Sequence, residues 1–450
     1  MKSIRVIILA IVVISIILWI VLERNKKSEA YLYGSSLRQN EIVNTVRLHR
    51  YGITGERIKI GIIDAGFNTS HPAFEKTKII SQYDFVTEES NVFDRNHPGG
   101  VDHGTNVFSV VGGYKVNELI GIAYGAEYFL AKTDISSARL AEEEINAVKA
   151  SKWLYERGCN VITTSLSFNK FDDADCYYPS QMNGNVATIT KTADSLVKEG
   201  VVYCCSAGNN YENEWRIIEP PGDGFNVLTA GSIDKNLFHS FFSSCGPTVD
   251  GRIKPDIVTP GEGVWNANYL PKMKPEFGWN HGTSLSAPIA AGIAALVLST
   301  HPDLSPFEVI EAIKNTSSKS SAPDSLYGYG IPDAEKAVSY FGPAFSNTPE
   351  INFSAGKLEI KIYVFSSFGV DASSVELHIL EESQSFSTVI KMTLIDTDFF
   401  SAVFDIKPNS KEVKLYFKAK DNRNRTTQYP SGILGNNFVV SIDKGKIQIQ

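Results

Sequence analysis

The sequence predicts an α/β domain with a largely parallel sheet and helices on both faces, followed by a small all-β sandwich domain. Short apolar strands alternate with helical patterns in the first part, with strands at 58–63, 161–166 and 201–205 and helices at 140–157 and 190–199. This alternation is the βαβ pattern of a parallel sheet that is covered on both faces. After residue 342 the apolar residues instead recur with period two in short segments, which is typical of a β-sandwich.

Composition excludes several classes of protein. The chain has 450 residues, of which 43% are hydrophobic and 21% charged, as in a globular protein. Lysine and arginine number 43 against 50 aspartate and glutamate, so no basic surface for nucleic acid is expected. The five cysteines are too few for a disulfide scaffold, and we interpret Cys204 and Cys205 as buried packing residues in a strand.

The first 27 residues predict a membrane anchor or a signal segment. Residues 6–22 are apolar except for Ser15, and basic residues flank the run on both sides. As a helix this run would be about 25 Å long, at the short end for a membrane crossing. An uncleaved anchor with an extracytoplasmic catalytic domain is favoured, and secretion after cleavage is the alternative. The flanking charges do not indicate the orientation.

Three further regions follow this segment. Residues 28–50 are expected to form a polar linker with a short helical piece, and residues 51–342 the α/β domain. In residues 345–450 apolar side chains alternate with polar or aromatic ones, as in the two sets Leu358, Ile360, Ile362, Val364 and Val413, Leu415, Phe417. We expect this last region to stabilise the protein or bind a partner, and the sequence gives no indication of the oligomeric state.

Three short segments carry residues that suit nucleophilic catalysis. Asp64 directly follows the strand 58–63, so it lies at the carboxyl edge of the sheet, where α/β proteins place their sites. His103 opens a helical pattern, and Ser284 precedes an apolar, alanine-rich helix. Each residue alone is commonly structural. In the order Asp, His, Ser they match one of the convergent triads, in which an imidazole activates a serine and a carboxylate orients the imidazole.

From these residues the sequence resembles the subtilisin-like (subtilase, S8 family) serine proteases. The resemblance covers residues 50 to 340, and its further motifs are Gly52–Gly55, Ser70–Pro72, Ser206–Asn209, Phe242–Pro247, Lys254–Gly261, His301–Pro306 and Tyr329–Ala334. It implies a serine endopeptidase that hydrolyses protein or peptide substrates through an acyl-enzyme. No cofactor and no metal site are expected, because the acidic run at residues 172–175 is interpreted as solvated loop charge.

The resemblance also implies a role for each site residue. Ser284 would be the nucleophile, His103 the general base and then acid, and Asp64 the residue that orients His103. Asn209 would stabilise the oxyanion, with Asn210 as the less favoured alternative. The segment Ser165, Leu166 and Ser167 would bind extended substrate, and His281 is expected in a loop that lines the cleft.

Two of the departures of the sequence from the family pattern concern the catalytic aspartate and the substrate-binding strand. Ala65 stands where a serine or threonine usually follows the catalytic aspartate, and Ser167 and Phe168 replace two glycines, which is expected to narrow or reshape the groove. These departures keep open a catalytically silent relative that binds a polypeptide or envelope partner, and a non-peptide hydrolase is a third alternative. If the triad works, activity should fall as His103 protonates, at about pH 6–7 for an ordinary imidazole.

Overall fold

The computed structural model of the chain describes residues 28–135, 140–269, 276–381, 388–406, 412–431, 437–443 and 446–449. The apolar segment expected to be an anchor or signal lies outside these ranges. Among the described helices, one is long and apolar enough to cross a membrane, Thr283–Thr300, and 94% of it is buried inside the protein. Its burial makes it a core helix.

The strands of the first part form one large sheet and two small antiparallel pairs. In chain order they are β1 (Lys59–Asp64), β2 (Lys78–Asp84), β3 (Tyr114–Lys115), β4 (Leu119–Ile120), β5 (Glu127–Lys132), β6 (Val161–Thr164), β7 (Val202–Ser206), β8 (Leu228–Ile233), β9 (Ile257–Pro260), β10 (Glu262–Ala267) and β11 (Phe277–His281). The large sheet has the order β2-β5-β1-β6-β7-β8-β9, and every neighbouring pair in it is parallel. The predicted parallel sheet is confirmed.

Helices cover both faces of this sheet. They are α1 (Leu37–Ile42), α2 (Val46–Arg50), α3 (Pro98–Gly112), α4 (Ala141–Glu156), α5 (Thr188–Lys198), α6 (Thr283–Thr300), α7 (Pro306–Asn315) and α8 (Ala334–Val338). Along β1, Ile60 and Ile62 join the apolar core that contains α3 and α6, whereas Ile63 joins the core that contains α4 and α5. Successive side chains of a strand point to opposite faces, so one strand supplies both cores.

The C-terminal part consists of two antiparallel sheets. Its strands are β12 (Ala344–Phe345), β13 (Glu350–Ser354), β14 (Lys357–Phe365), β15 (Glu376–Glu381), β16 (Thr388–Lys391), β17 (Thr393–Asp396), β18 (Phe399–Asp405), β19 (Glu412–Lys420), β20 (Thr426–Tyr429), β21 (Phe438–Asp443) and β22 (Lys446–Ile449). β14 and β19 are central strands of the two sheets, and their predicted inward residues, among them Ile360 and Leu415, are fully buried in one shared core. The all-β sandwich is confirmed.

Residues 28–50 pack against the α/β part. Val43 and Leu48 are fully buried in the core that contains α3 and α6. The side chain of Asn40 donates a hydrogen bond from Nδ2 to the carbonyl of Ile120 at 3.0 Å. Helices α1 and α2 thus bury apolar and polar groups although the composition of the segment is polar.

Buried contacts join the two parts of the chain. Asn347 is fully buried; its Oδ1 accepts from the Thr54 N–H at 2.9 Å, and its Nδ2 donates to the Ser299 carbonyl at 3.2 Å. Tyr51 stacks on Tyr363 of β14, with ring centroids 4.5 Å apart. The boundaries of the predicted domains, 51–342 and 345–450, stay predictions.

A buried ion cluster connects the sheet to helix α7. The carboxylate of Asp256, just before β9, accepts from Lys254 Nζ at 2.6 Å and from Lys314 Nζ at 3.0 Å. Burial acts to raise the pKa of Asp256, but the two ammonium groups outweigh it and hold this pKa below its usual value. The carboxylate is therefore charged in the folded protein, and it balances the charge of the buried Lys254.

We expect Asp256→Ala to lower the free energy of unfolding by about 3–5 kcal/mol, because it leaves a lysine buried without its counter-ion. Urea denaturation measures the difference. The control is Asp405→Ala, which removes the partner of Lys357 from a pair whose side chains are 80% and 56% exposed. Such an exposed pair contributes at most about 1 kcal/mol. Equal losses in the two variants would contradict this account.

Candidate active site

Asp64 is the last residue of β1 and is fully buried at the carboxyl edge of the sheet. Its Oδ1 accepts hydrogen bonds from the Ala65 N–H at 2.8 Å and from His103 Nδ1, at 2.7 Å. Its Oδ2 is buried and has no hydrogen-bond partner in the part of the chain that the structure describes. Ala65, which stands where the family usually has a serine or threonine, has no hydroxyl that could donate to this oxygen.

His103 lies on helix α3, which begins at Pro98 rather than at the histidine, where the sequence pattern placed its start. Proline suits the first helical position because its missing N–H would have no partner there. The next residue, Gly104, allows the helix to approach the loop after β1. A Cβ on Gly104 would lie 2.0 Å from the Gly66 carbonyl oxygen, so only glycine fits.

Carboxylates near His103 stabilise its protonated form. Burial acts to lower the pKa of His103, but the Asp64 carboxylate, its hydrogen bond, and the charges of Asp134 and Asp102 together raise this pKa to about 9. Burial and the neighbouring Glu143 and Asp64 raise the pKa of Asp134 to about 7. His103 is therefore a stronger base than the ordinary imidazole expected from the sequence.

Ser284 is the second residue of helix α6, directly after the turn at Gly282, whose φ is +144°. Its hydroxyl donates to the Ser165 carbonyl at 3.2 Å, and the Ser165 hydroxyl donates to the Ser284 carbonyl at 2.8 Å. No hydrogen bond joins Ser284 to His103 among the described residues. Both side chains nevertheless line one cleft of ≈ 370 Å³.

Asn209 and Asn210 both line this cleft, but they differ in their contacts. The Oδ1 of Asn209 accepts from the N–H and the hydroxyl of Thr283, at 2.9 and 3.0 Å. This fixes the amide so that Nδ2 points away from Thr283, and within the described ranges Nδ2 makes no hydrogen bond. The Nδ2 of Asn210 instead donates to Glu219. These contacts favour Asn209 as a donor to a bound ligand.

The predicted substrate-binding residues Ser165, Leu166 and Ser167 also line the cleft, together with Phe168. They follow β6 at the same edge of the sheet as Asp64. The Ser167 hydroxyl donates to Glu219, and Phe168 is 3% exposed. The two side chains that replace the glycines thus form part of the wall.

Three carboxylates in the cleft were not singled out from the sequence: Asp134, Glu143 and Glu219. Asp134 follows β5, which neighbours β1, so its position at the carboxyl edge is a signal that could have identified it. Glu143 lies in the first turn of α4, and its side chain accepts from the Ile135 N–H at 3.0 Å. Glu219 lies in an irregular segment without a pattern that would indicate its role.

His281 is outside the cleft. It is the last residue of β11, is exposed, and accepts from the Gly263 N–H through Nδ1 at 3.1 Å. The expectation that it lines the cleft is wrong, because the β10-β11 pairing holds it on another surface. Within the described residues no group of three or more potential ligands could hold a metal ion.

Comparison with known proteins agrees with the fold. The family model described as the subtilase family matches residues 55–330, more than half of the chain. The chain is 28% identical over 307 residues to serine protease AprX of Bacillus subtilis (strain 168), covering 64% of this chain and 67% of AprX. It is 27% identical over 303 residues to subtilisin DY of Bacillus licheniformis, covering 66% and 96%.

A solved structure shows the same fold at low sequence identity. The MycP3 protease from the type VII (ESX-3) secretion system superposes with a TM-score of 0.55 at 19% identity, covering 68% of this chain and 89% of MycP3. The match of the family model over residues 55–330 is the stronger observation, since it extends over the strands and helices that carry the cleft. The chain belongs to the subtilase family and is a subtilisin-like serine protease.

Proposed function

We propose that Ser284, His103 and Asp64 form the catalytic triad of an endopeptidase that acts through an acyl-enzyme. The observation that carries this proposal is the 2.7 Å hydrogen bond between buried Asp64 and His103, in the cleft that also contains Ser284. A buried carboxylate on Nδ1 fixes the tautomer in which Nε2 is free to accept a proton. The order of the residues and the family of the chain support the same assignment.

In the first step the Ser284 Oγ attacks the carbonyl carbon of the scissile peptide bond, and its proton passes to His103 Nε2. The present bond from Ser284 to the Ser165 carbonyl must break first, by rotation about the serine Cα–Cβ bond. Such rotation between staggered positions is inexpensive for an unbranched hydroxyl side chain. Hydrogen bonds between a nucleophile and its base often tighten only when substrate is bound.

The carbonyl oxygen becomes negatively charged in the tetrahedral intermediate. The Asn209 Nδ2 and the Ser284 N–H would donate to it, and the amino terminus of helix α6 would add a favourable dipole. Thr283 holds the Asn209 amide in place before substrate arrives. Such a donor needs little reorganisation during the reaction.

Protonated His103 then donates its proton to the leaving amine, the peptide bond breaks, and the acyl group stays on Ser284. His103, neutral again, accepts a proton from a water molecule that attacks the ester. The second tetrahedral intermediate collapses to release the carboxylic acid product, and the serine regains its proton. No cofactor enters this scheme.

We further propose that residues 1–27 direct the protein to a membrane, as an anchor or as a cleaved signal, with the catalytic domain outside the cytoplasm. The apolar run at residues 6–22 and its basic flanks support this assignment. In the same proposal residues 51–342 are the peptidase domain, and 345–450 are a β-sandwich that stabilises it.

A fluorophosphonate probe tests the nucleophile. We expect it to label the wild-type protein at Ser284, as located by mass spectrometry, and Ser284→Ala to abolish both labelling and casein degradation. The loss in kcat should be roughly 10⁶-fold, the order seen when such a triad loses its nucleophile. His281→Ala is the control and should keep both activities, because His281 lies outside the cleft. Casein degradation by Ser284→Ala, or absence of labelling in the wild type, would contradict the proposal and favour the silent relative.

The two asparagines can be separated by substitution. Asn209→Ala should lower kcat by about 10²–10³-fold with little change in KM, a magnitude adopted from loss of this kind of donor in subtilisin. Asn210→Ala should have a smaller effect on kcat, since its amide donates to Glu219. Steady-state kinetics on one peptide substrate measure both. A larger kcat loss for Asn210→Ala would reverse the assignment.

The pH dependence reports on His103. Because His103 must be neutral to accept a proton and its pKa is raised to about 9, kcat/KM should rise with pH to a midpoint near that value rather than near pH 6–7. Asp134, with a pKa of about 7, is ionised there, so Asp134→Asn removes a negative charge and should move the midpoint to lower pH. The exposed control Asp405→Asn should leave it unchanged. An unmoved or higher midpoint in Asp134→Asn would refute this coupling.

A further inference from the structure

Glu219 is a buried carboxylate in the wall of the cleft that contains His103 and Ser284. It lies between β7 and β8 and is 4% exposed. Three side chains donate to it: the Ser167 hydroxyl, the Asn210 amide and the Asn169 amide, the last at 2.6 Å. These three donors are neutral side chains, and they hold the carboxylate in place in the wall of the cleft.

Glu219 lies close to the position that we propose for the scissile peptide bond. A Cβ placed on Gly208 would lie 2.4 Å from Glu219 Oε2, so the carboxylate rests directly against the backbone of Gly208. The next residue is Asn209, the proposed donor to the scissile carbonyl oxygen. The carboxylate is therefore close to the substrate residue that contributes this carbonyl, and a long side chain of that residue can reach it.

Beside Glu219, the side-chain oxygen of Asn169 has no hydrogen-bond donor among the described residues. Asn169 is 1% exposed and donates through Nδ2 to Glu219, whereas its Oδ1 is buried without a hydrogen-bond partner in the described part of the chain. A buried acceptor without a donor is unfavourable, and a ligand that supplies a donor removes that cost. The ammonium of lysine and the guanidinium of arginine carry three and five N–H donors and no acceptor.

Two further carboxyl groups, those of Asp134 and Glu143, line the same cleft. Its lining among the described residues includes no lysine or arginine. Leu166 and Phe168 are the apolar residues in this lining. The cleft is therefore not the largely apolar pocket that a large apolar side chain would prefer. A cationic side chain suits this cleft better than an apolar or an acidic one.

We propose that Glu219 makes the cleft selective for polypeptides that present lysine or arginine at the residue whose carbonyl is attacked. This inference rests on the proposed function, since it needs the scissile carbonyl to lie at Asn209. Glu219 is then a specificity-determining residue, and Asn169 and Ser167 are positioning residues that act through it.

The test uses fluorogenic peptides that differ only at this residue, which is arginine, lysine, citrulline or leucine. Citrulline has the shape of arginine without its charge. In the full-length wild-type protein we expect kcat/KM for arginine to exceed that for citrulline by about 10- to 100-fold, the range for a hydrogen bond to a charged group. In Glu219→Gln this ratio should fall towards one, whatever the absolute rates.

The matched control is Glu212→Gln, which makes the same change of charge at an exposed position of the same segment. It should keep the wild-type ratio. If Glu219 only supports the fold, Glu219→Gln will lower kcat/KM for all four peptides equally, and that outcome overturns the proposal. A wild-type ratio near one also overturns it, so the inference stays testable even if Glu219→Gln does not fold.

Failure of this inference is distinct from failure of the proposed function. Hydrolysis of all peptides without a preference for arginine or lysine, with fluorophosphonate labelling at Ser284, would leave the endopeptidase intact and remove the role of Glu219. Absence of labelling and of any hydrolysis would instead remove the proposed function and the inference with it. Cleavage at basic residues that is lost in Ser284→Ala supports both.

Discussion

The burial of one carboxylate, Asp64, constrains the whole site. A buried charge costs several kcal/mol unless hydrogen bonds compensate for it, and Asp64 has only the Ala65 N–H and His103 as donors in the described structure. Helix α3 must therefore bring His103 to a fixed point beside the end of β1. That approach in turn requires glycine at residue 104. The position of the imidazole is thus set by the energetics of the sheet edge rather than by a flexible loop.

The same edge concentrates negative charge. Asp64 ends β1, Asp134 follows β5, and Glu219 is held against Gly208 after β7, because parallel strands deliver their following residues to one side of the sheet. His103 lies beside Asp64 and Asp134 at this edge, and their charges raise the pKa of its imidazole. If Glu219 selects the substrate as we propose, that selection and the raised pKa of His103 both depend on carboxylates at this edge of the sheet.

The strands and site residues that depend on a local pattern can be predicted from the sequence. The apolar run 58–63 and the alternation from Leu358 to Val364 identified β1 and β14, since burial dictates the residue type at each position. The residues Asp64, His103 and Ser284 were found by their order and by motif.

Glu219 was not found because its neighbours Ser167 and Asn169 come from a distant part of the chain, and only the folded structure shows which neutral donors surround a carboxylate. The packing of residues 28–50 was hidden for the same reason, as Val43 and Leu48 are isolated apolar residues in a polar stretch.

Asn347 links the β-sandwich to the α/β part by buried hydrogen bonds. Its side chain links the loop before β1, through Thr54, to the last turn of helix α6, through Ser299. Any hinge rotation of the sandwich would have to break both hydrogen bonds away from water, where no solvent molecule replaces them. The two hydrogen bonds therefore oppose hinge motion between the sandwich and the α/β part when the protein encounters a long polypeptide.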